Sequence, residues 1–254
     1  MLLTDLAFIG ITRISGHKSF TYAALDRDLN LTALADGELD DVIAFIAGHG
    51  SATVAVDAPI GVNRGLVLEM TKSKMLTPQK IRRTDLRLVE YELRERGIAT
   101  TKTPASVEQC PEWMQAGFEL YRRLGKMGFR KYPEKDSPYL VLETNSHACH
   151  CVMAGQVPLG RLSLEGRLQR QIVLYEHGLN IKDPMDFFEE ITRYKISKGI
   201  LPMELLYRPG QLDALAVAYT AWLAVKKQEG VFVIGDMKEG MVVLPERELK
   251  NKYL

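Results

Sequence analysis

The sequence predicts an α/β protein with a mixed β-sheet flanked by helices, and three observations lead there. The opening strings short apolar runs together before the spacing turns helical. Two later apolar runs, residues 53–56 and 139–142, stop abruptly on acids. A long, mainly apolar segment, residues 211–227, then reads as a buried helix.

Residues 6–15, 18–25 and 29–34 predict three consecutive strands. Asp36-Gly37 breaks the chain before Leu39, Val42, Ile43 and Ile46, whose spacing of three and four marks one face of a helix that Gly48 and Gly50 end. Residues 53–56 follow as a short central strand, so residues 1–60 read β-β-β-α-β. Residues 78–96 predict a helix capped by Thr77, with Ile81, Leu88 and Leu93 inward and Gly97 as its stop. A second helix over 111–126 carries Trp113, Met114, Phe118, Tyr121 and Leu124. After the strand at 139–142 come helices at 162–177, 184–198 and 211–227, then a β-hairpin from 232–234 and 241–244 around Gly235 and Gly240. One domain over 1–254 is expected: a core from 1–60 and 138–227, a helical insertion over about 62–137, and a hairpin within 230–245.

Composition narrows the function classes. The 33 Lys and Arg nearly balance the 32 Asp and Glu, so any surface for nucleic acid must be local. Cys110, Cys149 and Cys151 are too few for a disulfide framework and fit a reducing compartment. The N-terminus lacks signal-peptide character, and no apolar run approaches a membrane span, so a cytoplasmic protein without a membrane partner is expected.

Three acids hold comparable places: Asp57 and Glu143 end short buried strands, and Asp213 lies in the first turn of an apolar helix. Taken singly, each has an ordinary reading as a turn residue or a helix-dipole partner. Together at one sheet edge they would repel one another, and a hard divalent cation relieves that repulsion. Metal-dependent phosphoryl chemistry is therefore the sharper expectation.

Several segments carry a family resemblance: "FIGIT", "VAVDAPIG", "RRTDLRLVEYELRERGI", "LVLETNSHA", "GRLQRQIVLYEHG", "DALAVAYTAWLA" and "GDMKEGMVVLP". In this order, over nearly the whole chain, they resemble the DUF429 family, which is expected to have a ribonuclease H-like fold and to contain nucleases. The resemblance implies that Asp57, Glu143 and Asp213 are catalytic residues and ligands of Mg²⁺ or Mn²⁺, in a nuclease acting on DNA or RNA. One position departs from the pattern. Where the first strand usually supplies an aspartate, this chain has Thr12, whose hydroxyl can ligate a cation but balances none of its charge. Asp26 or Asp28 could compensate by approaching the same edge.

Basic residues supply candidates for the substrate. Arg122, Arg123, Lys126, Arg130, Lys131 and Lys135, with Phe129 and Tyr132 among them, form a possible track for a phosphate backbone, or else a solvated helix end. Arg167 and Arg170 are candidates to meet phosphate, and His147 to touch substrate near the carboxylates. The string "HACHC", residues 147–151, predicts a helix start with buried thiols rather than a zinc site, because adjacent and alternate residues point apart. Two other classes stay open: a ribonuclease H-like protein that binds nucleic acid or a protein without turnover, and a sugar-kinase-like phosphotransferase, for which 254 residues leave little room. A homo-oligomer is compatible with all three.

Overall fold

The computed structural model describes residues 6–13, 19–73, 84–134, 137–192 and 196–254. The predicted opening is present as β1 (Ala7–Arg13), β2 (Phe20–Leu25), β3 (Leu31–Gly37), α1 (Leu39–Ala47) and β4 (Ala52–Val56). Later come α2 (Leu66–Lys72), α3 (Leu88–Glu95), α4 (Glu112–Lys126), β5 (Arg130–Lys131) and β6 (Tyr139–Glu143). The chain closes through α5 (Ser146–Ala154), α6 (Leu164–Glu176), α7 (Pro184–Glu190), α8 (Pro209–Lys226), β7 (Phe232–Asp236) and β8 (Gly240–Leu244).

Among the described residues the strands form one mixed sheet in the order β3-β2-β1-β4-β6-β8-β7, with β5 beside β6. Strands β1, β4 and β6 run parallel, and β2 is antiparallel to both β1 and β3. The predicted hairpin is β7 and β8, and β8 joins the main sheet parallel to β6 through Glu143 and Val242. It extends the sheet instead of standing apart.

Strand alternation sorts the core into two layers. Ala7, Ile9 and Ile11 of β1 pack with Val54 and Val56 of β4 beneath α1 and α4, around Val42, Ile46, Leu120 and Leu124. Phe8 and Ala55 face the other way, toward α5, α6 and α8. Helix α8 is buried along nearly its whole length and packs across β1, β2 and β4. Gly10 permits that approach. A Cβ there would fall 2.2 Å from both Ala214 O and Ala218 N, which are helix backbone and cannot turn aside.

Three elements depart from the sequence reading, the first two for a physical cause that the hydrogen bonds show. The helix expected over 78–96 begins at Leu88, because Arg87 is extended and its backbone N–H donates to Glu90 Oε2 at 3.2 Å, a side-chain cap on the first turn; Thr77 and Ile81 lie outside the described residues. Helix α2 was not expected from sequence. Its Leu66 N–H and that of Leu88 in α3 both donate to Glu239, at 3.1 and 2.9 Å, so a carboxylate from the β7–β8 turn caps two helices. The helix expected over 184–198 ends early, with α7 stopping at Glu190 and a 3-10 turn at Ile196–Lys198.

Gly10→Ala should destabilise the protein by about 3 kcal/mol or more, above the usual cost of one added methyl, because the clash is with backbone. Urea unfolding followed by circular dichroism measures it; a loss below about 1 kcal/mol would show that α8 can retreat from β1.

Candidate active site

The carboxyl ends of β1, β4 and β6 open, with the N-termini of α5 and α8, onto a cleft of about 550 Å³. Such an edge is where α/β sheets commonly place ligands. Asp57 N donates to Ile11 O at 2.9 Å, which extends the β1–β4 ladder by one step and sets Thr12 beside Asp57. Thr12 reaches α8 by donating to Gly210 O at 3.4 Å, and Asp213 lies one turn further along that helix.

Asp57 is held from below by α5. Ser146 donates to it twice, through its backbone N–H at 3.1 Å and its hydroxyl at 2.6 Å, so the carboxylate sits on the helix N-terminus. Desolvation raises its pKa to about 6 against these hydrogen bonds, and the charge of Asp213 pushes the same way. Asp213 is nearly buried too, yet its pKa is lowered: desolvation opposes ionisation but is outweighed by His150 and Arg161. Arg161 donates from Nε at 2.7 Å, and His150 Nε2 lies 3.4 Å from the other oxygen.

Glu143 is placed differently from the other two acids. Its strand neighbour in register is Val56, on the α1–α4 side of the sheet, whereas Asp57 is one residue further along. Arg87 grips both of its oxygens, and Ile60 N–H adds a bond at 2.9 Å. Arg87 is 2 % exposed and also meets Glu90 at 3.3 Å and Glu239 O at 3.0 Å. The structure thus brings together Thr12, Asp57 and Asp213, while Glu143 lines the cleft already neutralised. Among the described residues no three His, Cys, Asp or Glu side chains group closely enough to hold a metal ion.

The basic candidates divide. His147 and Arg170 line the cleft. Arg167 instead donates to Tyr207 O and Leu206 O, at 3.0 and 3.1 Å, and so fastens the segment entering α8. Arg122, Arg123 and Lys126 end α4, whose first turn carries the cleft residue Trp113; Arg130 and Lys131 pair with the start of β6. That track therefore lies at the opposite end of the sheet. Arg122 and Arg123 bond Glu119, and Arg123 also bonds Asp40; Lys135 lies outside the described residues. Asp26 and Asp28 sit at the β2–β3 turn beyond Leu25, the partner of Phe8, so neither reaches Thr12; Asp26 instead accepts from Asn30.

Sequence reasoning overlooked Arg13, Arg161 and Arg208, all of which line the cleft. Arg13 stacks 4.0 Å over Trp113, and its position directly after Thr12 was the available signal. In "HACHC", Cys149 and Cys151 are fully buried, as the helix-start reading expected.

A family profile described as "Protein of unknown function (DUF429)" matches residues 16–238. The chain belongs to this family. No curated protein and no solved structure matches it. Among the described residues of this DUF429 member, no helix is long and apolar enough to cross a membrane.

Arg87→Met should cost about 3–5 kcal/mol, because it strands Glu143 and Glu90 without their counter-charge. Urea unfolding at pH 7 reads the loss, and adding Glu143→Leu should recover part of it. Failure of both effects would reduce Arg87 to a packing residue.

Proposed function

We propose that this DUF429 protein is a ribonuclease H-like hydrolase of phosphodiester bonds that uses a divalent cation, Mg²⁺ or Mn²⁺, held by Asp57 and Asp213 with Thr12 beside them. The observation that carries the reading is the meeting of two carboxylates, half-buried Asp57 at the end of β4 and buried Asp213 of α8, in a cleft rimmed by Arg13, Arg161, Arg170 and Arg208. The β-β-β-α-β opening with β2 reversed supports the ribonuclease H-like part.

The donor set suits one ion. Two carboxylates and a hydroxyl are hard oxygen donors, and a cation would offset the desolvation, and the smaller repulsion from Asp213, that raise Asp57. A second ion would have to take Glu143 from Arg87. When bound, such a cation polarises a phosphoryl oxygen and acidifies a water. The chain's own residues do the rest: Arg13 and Arg208, at the same rim, hold phosphate oxygens, and Ser146 fixes the Asp57 carboxylate. DNA or RNA is the proposed substrate, and the cytoplasm its proposed setting.

A second reading, nucleic-acid or protein binding without turnover, is favoured by Thr12 at the first-strand position and by the neutralisation of Glu143. Calorimetric Mn²⁺ titration of wild type and Asp57→Asn, run beside cleavage of labelled single- and double-stranded DNA and RNA, separates the two. The hydrolase reading expects binding and cleavage in wild type, with both lost in the variant. Nucleic-acid binding that persists in chelator without cleavage would transfer the protein to the second reading.

The affinity for Mn²⁺ should also fall about tenfold from pH 7 to pH 5, since a proton competes for a carboxylate with a pKa of about 6. A flat profile across that interval would remove Asp57 from the ligand set.

A further inference from the structure

Beside the two carboxylates lies a cation that the reading above uses only as part of the rim. Arg170 of α6 is 3 % exposed. Its Nη1 donates to Leu159 O and Gly166 O, both at 2.8 Å, while its Nε is buried with no hydrogen-bond partner. No described carboxylate lies within ion-pair distance of it; Asp213 acts only from further off and is already held by Arg161. Arg87 shows the contrast, buried too but gripped by Glu143 and Glu90. A buried guanidinium without a counter-charge is strongly destabilising, so its retention at a cleft wall calls for an anion from outside.

The neighbours suit the same ligand. His147, one turn before Cys151 on α5, lines the cleft within electrostatic reach of Arg170. Arg161 is half exposed and leaves part of its fork free after Asp213 has taken Nε and Nη2. Guanidinium forks match phosphate oxygens, and an imidazole adds a donor of adjustable charge.

We infer that Arg170, His147 and Arg161 form a phosphate subsite adjoining Asp57 and Asp213, distinct from the position of a scissile phosphodiester. Its ligand is a phosphate dianion, either free or carried at the end of a nucleic-acid strand. This rests on the hydrolase reading only for the strand-end source; the anion site itself stands on Arg170.

Calorimetric titration with inorganic phosphate, in chelator so that neither metal nor turnover takes part, tests the site. Wild type should bind, Arg170→Gln should weaken binding at least tenfold, and Arg161→Gln should weaken it several-fold. Because Arg170 also ties Leu159 to α6, circular dichroism melts must show that each variant is folded. Should Arg170→Gln not fold, Arg161→Gln and His147→Gln carry the test. Wild type that ignores millimolar phosphate, or folded variants that bind as wild type does, would overturn the subsite. The source is then read by competition: a 5′-phosphorylated oligonucleotide displacing phosphate at least tenfold better than its unphosphorylated twin assigns a strand end, and equal displacement assigns free phosphate. Phosphate binding with no cleavage under any condition would sink the hydrolase and leave the subsite intact.

Discussion

Arg87 is the residue on which the arrangement of this protein turns. Its guanidinium is buried where the end of β6, the start of α3 and the β7–β8 turn meet, and it bonds Glu143, Glu90 and the Glu239 carbonyl. An ion cluster out of water is tolerable only when every partner is present, so these segments are fixed together or not at all. Glu239 strengthens the union by capping α2 and α3 from the same turn. Helices α2 and α3 are thereby anchored to the C-terminal hairpin, and Glu143 is tied into the same cluster.

The opposite face of the sheet has a different constraint. Gly10 lets α8 come down onto β1, and this close approach carries Asp213 to the level of Thr12 and Asp57. Both carboxylates are then partly desolvated by packing designed for a helix, not for a ligand. Each is steadied by its own donor, Ser146 for one and Arg161 for the other.

Much of this was legible in the sequence because it is local. The alternation of β1, the three-four spacing of α1 and the apolar length of α8 each announce themselves within one window, and the strands that stop on Asp57 and Glu143 were correctly seen to end at one edge. What stayed hidden depends on partners distant in sequence. Glu143 and Asp57 look alike in one dimension, yet a one-residue offset in register sends them to different faces. Helix α2 is short and held from Glu239, so no nearby signal marks it. The basic run at residues 122–131 was visible as charge, but charge along a helix does not reveal which end of the sheet that helix's last turn reaches.

The two acids that meet in the cleft, Asp57 and Asp213, are unequal. Asp213 accepts a charged hydrogen bond from Arg161, and its pKa is lowered despite burial, so it keeps its charge across the working range. Asp57 is pushed up to about 6 by desolvation and then by the charge of Asp213, against the neutral donors of Ser146 and the more distant charge of Arg13. Two titratable groups whose environments push their pKa values apart divide the labour of a site between them. Asp213 is a fixed negative charge at the cleft wall. Asp57 is the group that can gain and lose a proton near neutrality, and its place at the end of β4, under Thr12 and above the first turn of α5, puts that exchange at the floor of the cleft.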